Sequence, residues 1–292
     1  MAPGGRLAGA ALTAAALVLA GCVSAGPDEA AVSRWHAAQR AAPYHATSIV
    51  FAGIVVADCS WARAPLGGWI QSRDLLDAAA GQWLGLPAAR RLKLDNPNRE
   101  TLRRFLAEDL PAVATADDLL VIYLGTHQLR DGRLLLAEGD SLRADELGEL
   151  LRALPQRLVV LADLCYAARL ETAVGWSDRV MRVYGAGALQ EAPELRLRGT
   201  YPSVISFFAT TDRIVRNELG QPADRYSLFG YLLVHSLIQV LAARPATVDT
   251  AAWWQALAAE YARLAGTATY YPVPTPAAAN IQPWPLAQRL DP

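Results

Sequence analysis

The chain has 292 residues, 53% of them hydrophobic and 19% charged, with a formal net charge of −1 and a mean hydropathy of +0.15. That length builds one sizeable α/β domain, or at most two small ones. The near-neutral balance, with no basic run or stripe, argues against a nucleic-acid partner.

Met1 to Gly21 carries a single early cation, Arg6, and then an apolar core from Leu7 to Ala20. This is the pattern of a secretory signal peptide, too short and too rich in alanine for a membrane span. It ends in Leu19-Ala20-Gly21-Cys22, which resembles the lipobox of bacterial lipoproteins. The resemblance implies cleavage before Cys22 and acylation of that cysteine. Val23, where an aspartate would direct retention elsewhere, leans the expected location to the outer membrane, facing the periplasm. An ordinary cleavage site near Ala25 is the alternative. Residues 1–21 are thus read as leader and 22–47 as a tether, with a short helix around Ala30 to Ala41. After cleavage before Cys22, Cys22, Cys59 and Cys165 would all lie in an oxidising compartment, with Cys22 acylated. Without a C-x-x-C spacing, and with only four histidines, no zinc site and no cofactor is expected.

The domain is expected over 48–292. Ser48 to Ala57 reads as a first strand ending at Asp58-Cys59, followed by a loop from Ser60 to Trp69. Ile70, Leu75, Leu76, Ala79, Trp83 and Leu84 form an apolar stripe near helical spacing. Arg91 to Leu94 is a short strand. Asn96-Pro97 and Asn98 supply cap chemistry for a helix to about Leu110, with Leu102, Phe105 and Leu106 inward. Leu119 to Leu124 is a continuous apolar run that stops at Gly125-Thr126-His127-Gln128. Arg130 to Asp140 reads as a hairpin around Asp131-Gly132. Leu147, Leu150, Leu151 and Leu154 mark the next helix.

Leu158 to Ala168 begins as a second continuous apolar run and reaches Asp163, with Cys165 two positions later. Arg169 to Pro202 is irregular apart from a strand near Val180 to Tyr184. Ser203 to Ala209 is a strand, and helices are expected over Leu228 to Ala242 and Asp249 to Leu264. The Pro-rich tail reads as coil. Alternating strands and helices predict one α/β domain, a mostly parallel sheet with helices on both faces.

Continuous apolar runs fit strands buried on both faces, and in such sheets chemistry gathers beyond the strands' carboxyl ends. One run delivers His127 there and the other Cys165, with a single helix between them. A right-handed crossover places two such strands side by side or nearly so. A thiol needs an imidazole nearby to favour its thiolate or to protonate a departing amine. The plainer reading, a small buried cysteine and an aspartate serving as a cap, stays open on the residues alone. His235 reads as a packed helix histidine, and Trp253 and Trp254 as packing residues.

From about Ser48 to Leu241 the chain resembles the caspase and metacaspase family of cysteine peptidases. The residues that carry this are Tyr123-Leu-Gly-Thr-His127-Gln, Leu134-Leu-Leu-Ala-Glu-Gly-Asp140 and Leu161-Ala-Asp163-Leu-Cys165, with Asn98-Arg-Glu-Thr-Leu as a helix start. Ile205 to Asp212 and Tyr226-Ser-Leu-Phe229 resemble the family's late strand and helix start. The resemblance implies a caspase-like fold, with Cys165 as nucleophile and His127 as acid–base partner. It places the backbone N–H groups of Gln128 and Cys165 in an oxyanion hole. It further implies that Asp163 selects Arg or Lys before the cleaved bond through a charge-assisted contact. Asp58 either adds to that pocket or caps its loop. The expected partners are a peptide or protein substrate and, through Cys22, the membrane. Gln128 replaces the family's glycine, and Tyr166-Ala167-Ala168 replaces His-Ser-Gly. These departures favour the rival reading, an inactive caspase-fold lipoprotein serving as a binding or scaffold module. Cys59 reads as a buried free thiol, with a disulfide to Cys165 that holds the nucleophile inactive until reduced as the alternative.

Overall fold

The computed structural model describes residues 44–46, 48–58, 67–129, 131–164, 180–186, 228–265, 275–279, 281 and 283–289. In chain order these form β1 (Tyr44–Ala46), β2 (Ile49–Val55), α1 (Gly67–Gln82), β3 (Arg91–Asp95), α2 (Arg99–Arg104), α3 (Leu110–Val113) and β4 (Leu119–Thr126). They continue with β5 (Leu134–Leu135), β6 (Ser141–Leu142), α4 (Ala144–Ala153), β7 (Arg157–Leu164) and β8 (Val180–Ala186). The last are α5 (Leu228–Ala242), β9 (Thr247–Asp249), α6 (Thr250–Ala265), β10 (Thr275–Ala279) and β11 (Pro285–Arg289).

The main sheet runs β10-β8-β7-β4-β2-β3. All neighbouring pairs from β8 to β3 are parallel, and β10 joins antiparallel at one edge. Every residue of β2 and β4 is buried, which explains their unbroken apolar runs. The period of two sorts those residues onto two faces. Ile49, Phe51, Val55, Leu119, Val121, Tyr123, Val159 and Leu161 pack with residues of α1, α5 and α6. Val50, Ala52, Ile54, Leu120, Ile122, Leu124, Leu158, Val160, Ala162 and Leu164 pack with Leu102, Phe105, Leu106, Leu110, Leu147 and Leu151. Each Val, Leu, Ile or Phe among them contributes about 1.5–3 kcal/mol when fully buried. The fold is therefore α/β with helices on both faces, as expected.

At the other edge β3 alternates between exposed and half-covered residues. Its Arg91 and Lys93 pair with Asp77 and Asp74 of α1 at 3.0 and 2.9 Å. Charge on an edge strand disfavours pairing with another chain. The helical stretch after Asn98 widens into a π-turn over Phe105–Asp109 before α3. Pro111 supplies the cause: it has no N–H to donate, and its ring crowds the carbonyl one turn back.

Four expectations change. The C-terminal tail is not coil, because Thr275–Ala279 and Pro285–Arg289 are strands. The tether ends before 47, since β1 pairs antiparallel with β11 and buries Tyr44 and Ala46. Tyr44 also donates from its hydroxyl to the Pro245 carbonyl at 2.9 Å. β11 in turn pairs with β9, so the two ends of the domain close on each other. The hairpin has two turns rather than one. A tight turn at Asp131-Gly132 joins Gln128 to Leu134, and the β5–β6 pair closes at Glu138 and Gly139, both at positive φ. Finally, β4 and β7 pass beyond their apolar runs to Thr126 and Leu164, so Asp163 lies inside its strand. The expected strand Ser203 to Ala209 lies outside the described residues, as do Cys22 and Cys59.

Among the described residues no helix is long and apolar enough to cross a membrane.

Candidate active site

β4 and β7 are adjacent parallel strands whose last pairs are Gly125↔Asp163 and Thr126↔Leu164. His127 is the next residue on the first strand. Its sequence counterpart on the second, Cys165, lies outside the described residues. The expectation that β4 and β7 stand side by side therefore holds, and it places His127 beyond the carboxyl end of the sheet.

The backbone at His127 is held by its own hairpin. Its carbonyl accepts from Leu135 N at 2.8 Å, and Leu129 N donates to Arg133 O at 2.7 Å. Thr126 Oγ1 donates to Leu135 O at 2.5 Å. The hairpin is fixed in turn to α2: Asp140 accepts from Arg99 N at 2.9 Å and from Ser141 N at 2.8 Å. Asn98 caps α2 by accepting from Thr101 N at 2.9 Å. The Asn98-Arg-Glu-Thr-Leu segment and Asp140 thus meet across the base of the turn that carries His127.

His127 is 8% exposed. Burial pushes its imidazole below the ordinary histidine value of 6.5, because water no longer stabilises the charged form. Its ring meets Trp69 at the start of α1, with centroids 5.0 Å apart and planes at 79°. Gly125 makes room for that ring: a Cβ there would stand 2.9 Å from Trp69 Cβ and Cγ.

Asp163 is buried, and Tyr123 donates from its hydroxyl to Asp163 Oδ2 at 2.7 Å. Both belong to the face of the sheet that packs α1 and α5. Gln128 is also buried, and its side chain turns back to donate from Nε2 to Gly132 O at 3.2 Å. Asp58 is exposed, past β2. Its N–H and that of Ala57 both donate to Asn96 Oδ1 at 2.9 Å. Asn96 holds a left-handed φ of 44° and donates its own N–H to Val55 O at 2.8 Å, so β2 and β3 are tied at their carboxyl ends.

Trp69, Tyr123 and Gly125 were not among the sequence candidates. The signal existed in part: with a period of two, Tyr123, Gly125 and His127 share one face of β4. Trp69 could not be placed, since it closes a loop of unspecified path. Among the described residues no group of three His, Cys, Asp or Glu side chains is placed to hold a metal.

No family model and no curated protein matches the chain. Solved structures resemble it at low identity. The Drosophila initiator caspase Dronc is 11% identical, over 81% of this chain and 82% of its own, with a TM-score of 0.47. A structure described as pro-sf-caspase-1 is 12% identical over 82% and 95%, with a TM-score of 0.48. Caspase-1 from Spodoptera frugiperda is 14% identical over 80% and 89%, also at 0.48.

Proposed function

We propose that the protein is a caspase-like cysteine endopeptidase, with Cys165 as nucleophile and His127 as its acid–base partner. The supporting observation is the register of β4 and β7, paired through Gly125↔Asp163 and Thr126↔Leu164. In sequence, His127 and Cys165 each follow the last residue of one of these two neighbouring parallel strands. His127 takes the proton of the Cys165 thiol, the thiolate so formed attacks the substrate carbonyl carbon, and the imidazolium then protonates the departing amine as the C–N bond breaks. A water, deprotonated by the then-neutral imidazole, hydrolyses the thioester and returns the thiol. The N–H groups of Gln128 and Cys165 receive the charge on the carbonyl oxygen. The side chain of Gln128, bonded to Gly132 O, is compatible with that role.

Asp163 is proposed to select Arg or Lys before the scissile bond. Asp58, exposed past β2, is proposed to add to that pocket, with a loop-capping role as its alternative. The leader and Cys22 support lipid anchoring in the outer membrane, facing the periplasm. Loss of palmitate labelling in Cys22→Ala is the expected check.

The deciding experiment is hydrolysis of fluorogenic Arg and Lys peptides by the reduced full-length chain beside Cys165→Ala and His127→Ala. Turnover by the parent alone supports the reading. Equal signal from all three ends it and leaves the scaffold reading.

A further inference from the structure

Trp69 is 1% exposed at the start of α1, and its ring stands across that of His127 at 79°. Aromatic rings favour such a crossed arrangement because the positive edge of one meets the negative face of the other. The seat for the indole exists only because Gly125 has no side chain, a Cβ there lying 2.9 Å from Trp69 Cβ and Cγ and 3.1 Å from Cδ1. Trp69 Nε1 makes no hydrogen bond among the described residues. A buried indole usually finds a partner for that N–H. What this site takes from Trp69 is therefore its ring.

We propose that Trp69 is a positioning residue for His127: seated over Gly125, its ring fixes the plane of the imidazole and keeps water from it. The consequence for turnover rests on the peptidase reading above, whereas the contact itself does not. An acid–base group must lie within hydrogen-bond reach of the proton it moves, and small misplacements cost rate steeply. Among the described residues, the ionisable groups on this face of β4 and β7 are Tyr123 and Asp163, which are bonded to each other, while Arg73 of α1 lies over Gly53 of the neighbouring β2 and pairs with Asp74 and Asp95.

The test reads His127 directly. The chain has only four histidines, so the imidazole resonances of the full-length protein can be followed by NMR against pH, with His127→Gln identifying the signal. Burial places the parent midpoint below 6.5. Trp69→Phe, which keeps a ring, should hold that midpoint. Trp69→Ala and Gly125→Ala should raise it towards the ordinary value. On an Arg peptide, Trp69→Ala should lower kcat by about 10–100-fold, with KM changed by less than about twofold. Should Trp69→Ala fail to fold, Trp69→Leu and Gly125→Ala supply the same comparison. An unmoved midpoint in the ring-removing and Gly125 variants overturns the proposal. A shifted midpoint in a chain whose parent cleaves no peptide would instead sink the peptidase reading and leave the Trp69 contact standing.

Discussion

The hydroxyl of Tyr123 reaches diagonally from β4 to Asp163 on β7, donating a 2.7 Å hydrogen bond between two buried side chains. Tyr123 itself pairs across the ladder with Leu161, and Asp163 with Gly125. Removing the hydroxyl takes a donor from a buried acceptor, which costs about 1–3 kcal/mol. Tyr123→Phe should lower the urea midpoint accordingly, with the slope unchanged. In a double-mutant cycle with Asp163→Asn, the two losses should be non-additive by about 0.5–3 kcal/mol. Strict additivity would show that the bond contributes nothing.

Gly53 on β2 gives the same kind of space to a charge. A Cβ there would stand 2.3 Å from Arg73 Cγ and 2.6 Å from Cδ. Arg73 is buried and cannot easily retreat, since its guanidinium pairs with Asp95 and, at 2.9 Å, with Asp74. Overpacking of this sort costs about 1–3 kcal/mol, so Gly53→Ala should unfold at lower urea. The penalty should shrink sharply in an Arg73→Ala background, where the clashing atoms are gone. A penalty of equal size in both backgrounds would assign it to strand propensity instead.

Asn96 does two jobs that separate substitutions can divide. Its side chain accepts from the N–H groups of Ala57 and Asp58, and its backbone sits at φ 44°. Asn96→Gly keeps the backbone free to adopt that φ and loses the acceptor, at about 0.5–1.5 kcal/mol. Asn96→Ala adds left-handed strain of about 1–2 kcal/mol. Alanine should therefore be the worse replacement in thermal unfolding. If glycine is as damaging as alanine, the side chain alone matters.

Much of this was readable from the chain. The runs Leu119–Leu124 and Leu158–Ala162 declared their burial on both faces, and one intervening helix sufficed to make them neighbours. The strand ends were harder, because Gly125, Thr126 and Asp163 are poor strand formers held in place by ladder pairing and by bonds from Tyr123 and to Leu135. Local composition does not report such tertiary support. The tail misled for a similar reason: prolines at 276 and 285 suggest coil, yet Pro276 sits in the edge strand β10 and Pro285 is the first residue of β11, before that strand's pairing with β1 begins. Tyr44–Ala46 pairs with a segment at the far end of the chain, a contact no local pattern announces.

The protonation of His127 links the site to stability. Burial lowers its pKa from 6.5 in the folded chain, so below that value the unfolded chain binds more protons at this residue than the folded one. Stability then falls with falling pH, starting near 6.5 and levelling off once the folded imidazole is also protonated. In His127→Gln that component is absent. The difference in urea-unfolding free energy between parent and variant should thus shift against the parent on acidification through this window, and be flat with pH above it. Under the proposed mechanism the same titration sets the acid limb of kcat/KM, which should lie below the ordinary histidine value. A parent and variant that lose stability in parallel from neutral pH downward would mean that His127 titrates as an exposed imidazole does, contrary to its burial.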